Sequence, residues 1–457
     1  MPSYIASAPS RLAHKLRRSQ RHTHLIFLIC DHFEPRHGIR DEAQAAERMR
    51  QWRTGYGEFQ QRCQAEFGTS PLHTWFYPPH HGNDNLADLS AMAHAGLGEV
   101  ELHYHHDGDT AQTLERDLRA TIDEYNRWGL LMQSGTQPTS SFGFIHGDWA
   151  LGNSGGGHHC GVNDELSILQ KLGCWADLTM PSSNHCQTRK INSIYYGKGN
   201  PAYPKGHDWG PSAQFGKSSP DGLMLIQGPL GINWAAPSYP RIENASLTNE
   251  NWGRPDRIRS WINANVHVQG QPDWLFIKLH THGAIEKDFD ALFGDKAMRM
   301  HRELNSHYND GQHFSLHYVT ARQSYNIAKA AEAGKTGNPS DYLDFRIAPP
   351  TTQFYSANVR HTIEHCTPTH LKLSNIEPTE QFRLQLRVGP VTSMQGAISG
   401  LNIDTERREL HLQGPASLTL SSKPDTRLDI LEGGQWLSKD GDVHVLSIAE
   451  RCRISYQ

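Results

Sequence analysis

The chain has 457 residues, 20% charged and 37% hydrophobic, with a formal net charge of −4. That length predicts an ample apolar core and either two domains or one large barrel with an appendage. The small net charge argues against a general nucleic-acid binder, and no apolar run approaches the about 18 residues of a membrane span.

Cysteines at 30, 63, 160, 174, 186, 366 and 452 are scattered, with no CxxC pair. This is neither a disulfide framework nor a zinc ribbon, and it fits a reducing compartment. The basic run His14-Lys15-Leu16-Arg17-Arg18 is followed only by the short apolar run Leu25–Cys30, too brief for an export signal. A cytoplasmic location is therefore expected. Histidine is the compositional outlier, with 29 residues, and it is the commonest metal ligand and acid–base group. Position along the elements has to separate surface histidines from functional ones.

In chain order, Leu25–Cys30 predicts a buried strand. Asp41–Phe67 predicts a helix, followed by strand His73–Tyr77, which Pro78-Pro79 stops. A short helix is expected over Asn85–Ala95, an alternating strand over Glu99–His105 and a long helix over Thr110–Met132. Strands Phe142–His146 and Ala176–Met180 flank a helix over Asn163–Leu172. An irregular stretch rich in Gly, Pro, Ser and His runs from Ser182 to Asp221. Strand Leu223–Gln227, helix Arg254–Asn265, strand Trp274–Leu279, helix Glu286–His307, strand Phe314–Val319 and helix Ala321–Ala333 complete the pattern. About eight strand–helix repeats predict an α/β fold with a parallel sheet, closed or nearly closed as a (β/α) barrel over residues 1–340. From about residue 350 the period changes to two, in Leu371–Leu373, Phe382–Val388, Glu409–Gln413, Ser417–Ser421 and Val443–Leu446. This predicts a small all-β, sandwich-like module over 341–457.

In a parallel barrel the chemistry lies at the carboxyl ends of the strands. Here those ends read Asp31-His32-Phe33-Glu34-Pro35, His80-His81, His103-Tyr104-His105-His106-Asp107, His146-Gly147-Asp148-Trp149, Asn184-His185 and His280-Thr281-His282. Six histidine-bearing ends on one rim predict a metal-centred site. His103 and Asp107 are spaced i, i+4, so a helical turn after the strand would put both on one side. Strand alternation puts Glu101, His103 and His105 on one face, and Asp31 would reach the same centre. An aspartate with two further N/O ligands leaves positions open for water, the pattern of a catalytic site. Imidazole and carboxylate without thiolate suit Zn²⁺, Co²⁺, Ni²⁺ or Mn²⁺, with Zn²⁺ favoured.

The order of these motifs resembles the NodB-type polysaccharide deacetylases, carbohydrate esterases on a distorted (β/α) barrel. Leu28-Ile-Cys-Asp31-His32 lies along that family's apolar strand into Asp-Asp. Glu99-Val-Glu-Leu-His103-Tyr-His-His106-Asp107 lies along its histidine motif, and Phe276-Ile-Lys-Leu279-His280 along its final Leu-His. His32 stands where the family has a second Asp, Asp107 where it has a second His, and the family's Arg-x-Pro is replaced by His146-Gly-Asp148-Trp149. The resemblance implies a metal held by His32, His103 and Asp107 or His106, with Asp31 as general base and His280 as general acid. His282, two along the same strand face, would orient or replace His280. A saccharide substrate would meet Glu34, His146 and Asp148 on the rim, stack on Trp149 or Trp209, and place any anionic group near Arg189 and Lys190.

Two other readings accompany this one. A glycoside hydrolase would use two carboxylates such as Glu34 and Asp148, and a catalytically silent member would bind metal or glycan only. Gly152-Asn-Ser154-Gly-Gly156 matches a nucleophile elbow in letters, but no strand runs into the serine and the glycines after it make a poor helix start. A mobile loop over the rim is expected there instead. Asn244-Ala-Ser246 is a sequon without consequence unless the chain is secreted.

Overall fold

The computed structural model describes residues 21–457 except 40, 238, 378 and 380; the basic run 14–18 lies outside the described residues. In chain order the main elements begin with β1 (Thr23–His32), α1 (Glu42–Phe67), β2 (His73–Tyr77), α2 (Leu86–His94), β3 (Gly98–Tyr104), α3 (Ala111–Asn126) and β4 (Phe142–His146). They continue with α4 (Glu165–Lys171), β5 (Cys174–Asp177), β6 (Ile194–Gly197), β7 (Leu223–Ile226), α5 (Pro255–Ala264) and β8 (Trp274–Thr281). Next come α6 (Asp295–Tyr308), β9 (Phe314–Tyr318) and α7 (Ala321–Glu332), and then ten further strands. Two compact units result. Among the described residues, one comprises those through His81, Leu102–Gln112 and Gly143–Arg346; the other comprises those of Gly82–Glu101, Thr113–Phe142 and Ile347–Gln457.

The strands through β9 form one mostly parallel sheet with strand path β8-β1-β2-β3-β4-β5-β7-β6, β9 also pairing β1. β1 is parallel to β8 along most of its length, to β9 over Thr23–Phe27 and to β2 over Ile29–His32. Both edges of β1 are thus occupied, and its apolar run is buried on both faces, as in a strand with neighbours and layers on every side. β6 is antiparallel to β7. The outer edge of β8 is met by the chain at 245–247: His280 N–H donates to the Ala245 carbonyl at 3.0 Å, and Leu247 N–H to the His280 carbonyl at 2.7 Å.

Helix ends follow local chemistry. Asp41 caps α1 by accepting from Ala43 N–H at 2.9 Å, and Gly68, at φ 71°, closes its other end onto the Gln64 carbonyl. Thr320 and Gln323 form a capping box on α7. Two expected helices are shorter. The helix expected to Met132 ends at Asn126, and Gly129 takes the left-handed conformation just beyond it. The helix expected over 286–307 breaks at Gly294, where an added Cβ would lie 2.6 Å from Asp290 Oδ1. β6, only four residues long, interrupts the stretch expected to be irregular.

The ten C-terminal strands are β10 (Tyr355–Ala357), β11 (Thr362–Cys366), β12 (His370–Ser374), β13 (Arg383–Leu386), β14 (Val391–Gln395), β15 (Gly400–Asp404), β16 (Glu409–Gln413), β17 (Ala416–Ser422), β18 (Leu428–Asp440) and β19 (Val443–Tyr456). They make one continuous antiparallel sheet, β10-β13-β14-β17-β19-β16-β15-β12-β11, with β18 also on β19. Alternate residues such as Leu371, Leu373, Leu401, Ile403, Leu410 and Leu412 form a single buried apolar cluster. This is the period-two pattern expressed as one dry face.

Candidate metal centre

Register decides which side chains of the first unit can meet. In parallel neighbours, paired residues share a face. Cys30 pairs with His280 and Asp31 with Thr281, so His32 shares the face of His280 while Asp31 takes the opposite one. Asp31 is fully buried there. Its Oδ2 lies 2.8 Å from His73 Nε2, and its Oδ1 accepts the Gly283 N–H at 2.5 Å. Burial raises the Asp31 pKa, against the opposing effect of His73 and Gly283. An added Cβ at Gly283 would stand 2.0 Å from Asp31 Oδ2, so only glycine fits this contact.

On the face of His32, Glu34, His103 and His105 converge. Their ligand atoms lie within 4.8 Å of one another. His105 Nε2 is 3.1 Å from Glu34 Oε1 and 3.0 Å from His103 Nε2. The other ring nitrogens are already engaged: His103 Nδ1 with the Ile145 carbonyl at 2.9 Å, and His105 Nδ1 with Asp148 Oδ2 at 3.1 Å. A carbonyl or carboxylate oxygen only accepts, so each Nδ1 carries the hydrogen and each neutral ring presents a lone pair at Nε2. Two lone pairs and a carboxylate therefore face one another, an arrangement that calls for a positive charge between them. A proton on His105 or a divalent cation supplies it. Ring orientation by a carbonyl and a carboxylate is also how ligating histidines are held. These donors fit the divalent cation that the motifs imply.

The charges agree with this geometry. Burial would raise the Glu34 pKa, but His105, His103 and His282 outweigh it and hold the carboxyl well below its ordinary range. Burial pushes His103 down to about 3, against the pull of Glu34. His105 is raised, because Glu34 and Asp148 more than offset its burial.

Around this group stand the remaining rim residues. The His32 ring centroid is 4.7 Å from that of His103 and 4.8 Å from that of His282. Trp149 lies 5.7 Å from His32, 6.1 Å from His280 and 6.2 Å from His282. His32 Nε2 and His280 Nδ1 are buried and have no hydrogen-bond partner among the described residues. His282 Nε2 is 3.8 Å from Glu34 Oε2. His80 and His81 form a further set with Glu34, but His81 Nδ1 accepts the Arg36 N–H at 3.0 Å, so the proton of its neutral ring sits on Nε2. Asp148 and Trp149 line a cleft of ≈ 390 Å³ with Gly155, His158, His159 and His185. Both take left-handed backbone conformations, φ 52° and 58°. That costs non-glycine residues roughly 1–3 kcal/mol each and is typical of functional sites.

Other sequence candidates lie elsewhere. No helical turn follows β3; Asp107 is exposed and its Oδ1 accepts the His159 N–H at 2.7 Å, away from His103. His106 turns to a different group, with His146, Cys160 and Glu165. Arg189 is paired with Asp208 at 3.2 Å. Trp209 lines a separate cleft of ≈ 360 Å³ with Tyr196, Lys198 and Asp221. His105 as a ligand was accessible from strand alternation with His103. Cys160 and Glu165 carried no sequence signal, because the approach of loop 158–161 to residues after β3 brings them in: Asp109 N–H donates to the Cys160 carbonyl at 3.0 Å.

No helix among the described residues is long and apolar enough to cross a membrane. No family model matches the chain, and no curated protein matches it. A solved structure of a Parabacteroides distasonis protein, provisionally named a glycoside hydrolase/deacetylase, aligns over 87% of this chain and 84% of its own. The identity is 10% and the TM-score 0.33, a likeness too slight to bear on family or activity.

Proposed function

We propose that this chain is a metal-dependent hydrolase on a distorted (β/α) barrel, removing an N-acetyl or related acyl group from a saccharide. Glu34, His103 and His105 would be its ligand set. The observation that carries the reading is the pair of imidazole lone pairs, His103 Nε2 and His105 Nε2, meeting at 3.0 Å against Glu34 beside a cleft. Three protein ligands leave a position open, as catalytic zinc sites do. A divalent cation bound there would lower the pKa of a water and polarise the acyl oxygen.

The chain's own groups divide the remaining work. His282 beside Glu34 takes the proton of the attacking water and returns it to the leaving amine. Burial lowers its pKa, while Glu34 and Asp31 favour its charged form. His280 is a poorer proton carrier: burial, then Lys278, His282 and Arg257, all disfavour its cation. Asp31, with both oxygens engaged, positions the turn at Gly283 and leaves proton transfer to His282. Trp149 offers an indole face to a sugar ring. The glycosidase reading is weakened by His105, whose ring stands between Glu34 and Asp148 where a sugar would have to lie.

Metal content of the purified chain, measured with acetate release from N-acetylated oligosaccharides, tests the reading. Acetate release and one equivalent of bound metal, both lost in Glu34→Gln, are expected. Release of reducing ends without metal would replace the reading with a glycosidase, and metal without turnover on any acetylated saccharide would leave a binding protein.

A further inference from the structure

We propose that His106, His146, Cys160 and Glu165 form a second metal site, closed by four protein ligands, which takes a cation of the Zn²⁺ type. It would fasten the loop 147–165 to the ends of β3 and β4. The inference is independent of the hydrolase reading, because it uses none of the residues assigned to that chemistry.

The geometry repeats the lone-pair arrangement of Glu34, His103 and His105 with a complete ligand set. His106 Nδ1 meets Asp109 Oδ2 at 2.9 Å, and His146 Nδ1 meets the Gly147 carbonyl at 2.5 Å. Both partners only accept, so both Nδ1 atoms carry hydrogen and both neutral rings present a lone pair at Nε2. Those two Nε2 atoms are 2.9 Å apart, and Glu165 Oε1 lies 3.3 Å from one and 3.4 Å from the other. Cys160 Sγ is 3.6 Å from Glu165 Oε2 and accepts the Val162 N–H at 3.4 Å. All four ligand atoms fall within 4.8 Å of one another. Metal–ligand lengths of 2.0–2.3 Å give tetrahedral edges of roughly 3.3–3.7 Å, so small adjustments suffice.

Burial separates this site from the open one. His146, Cys160 and Glu165 are fully buried, and the His106 side chain is 3% exposed. Four protein ligands without access to water are the mark of a structural site, and a thiolate among them selects zinc over magnesium or calcium. Both ring nitrogens of buried His207 have no partner among the described residues. An added Cβ on Gly152 would lie 2.9 Å from His207 Nδ1, and the Gly152 N–H donates to Glu165 Oε2 at 2.7 Å. A further neutral imidazole thus borders the site. On binding, the Cys160 S–H bond breaks, a sulfur–metal bond forms and the proton goes to solvent. The ion would join β3 through His106, β4 through His146, the loop through Cys160 and α4 through Glu165. That loop carries Asp148 and Trp149.

The test loads the full chain with Co²⁺ and reads both metal per chain and the thiolate-to-cobalt charge-transfer band. Two equivalents are expected, with the band present in the wild type and in Glu34→Gln. Cys160→Ala should lose the band and retain one equivalent. A cobalt-loaded wild type without the band would overturn the site, as would Cys160→Ala binding as much metal as the wild type. If Cys160→Ala does not fold, the wild-type spectrum decides alone. One equivalent accompanied by the band would uphold this site and remove the cation from Glu34, His103 and His105.

Discussion

His105 and His106 are adjacent in the chain, yet their Nε2 atoms enter different groups. That of His105 lies 3.0 Å from His103 Nε2 and that of His106 lies 2.9 Å from His146 Nε2. The chain runs on past β3 without turning helical, so successive side chains point to opposite sides. One stretch after one strand thereby supplies a ligand to an open group and a ligand to a closed one.

If the open group is catalytic, Glu34→Gln should abolish turnover without unfolding the chain. Loss of the carboxylate charge removes the only anionic ligand there. A fall of at least about 10²-fold in kcat/KM is expected, about 2.7 kcal/mol of transition-state stabilisation. Steady-state kinetics with a thermal melt check this; unchanged kcat/KM on a substrate the wild type hydrolyses would remove Glu34 from the mechanism.

Asp31 should matter to stability more than to chemistry. Asp31→Ala strands buried His73 and the Gly283 N–H, and losing one partner of a buried pair costs about 3 kcal/mol. Gly283→Ala should cost at least about 1 kcal/mol by driving a methyl group into the Asp31 carboxylate. Denaturant midpoints measure both. An Asp31→Ala chain with an unchanged midpoint and no turnover would return Asp31 to the role of general base.

Trp149→Ala should weaken substrate binding while leaving metal content intact. The indole borders His32, His280 and His282 but belongs to neither ligand group. Loss of one stacking face predicts a KM rise of about 10-fold, equivalent to about 1.4 kcal/mol. A KM within twofold of the wild type would place sugar binding elsewhere.

Acid sensitivity should trace in part to His301, away from both groups. It is fully buried against Phe27, Phe59 and Tyr318, and burial lowers its pKa from 6.5 to about 3. Between those values the unfolded chain binds a proton that the folded chain refuses. The stabilisation is therefore complete above pH 6.5 and is lost as pH falls toward 3, by up to about 1.4 kcal/mol per pH unit. His301→Phe should flatten that slope in urea titrations between pH 6.5 and 4. An unchanged slope would mean that other groups carry the acid response.

Much of the fold was legible because its signals are local. Leu25–Cys30 is apolar on both faces, and β1 has paired neighbours on both edges. The period-two leucines after residue 370 line one buried face. The same locality misled where breakers act: Gly294 splits a helix that the apolar spacing ran straight through. At the site, alternation alone pairs His103 with His105, and parity alone sets Asp31 and His32 on opposite faces. Strand register between β1 and β8, which local spacing does not encode, then chose which parity faces His280.

By itself, then, the sequence determined the element types, the change of texture near residue 350 and a histidine-rich set of strand ends. The tertiary structure decided which of those histidines meet. Glu34 joins His103 across more than 60 positions and Cys160 joins His106 across more than 50, through strand pairing and loop closure. Such meetings depend on backbone hydrogen bonds between distant segments, whose partners are not written in the spacing of either segment.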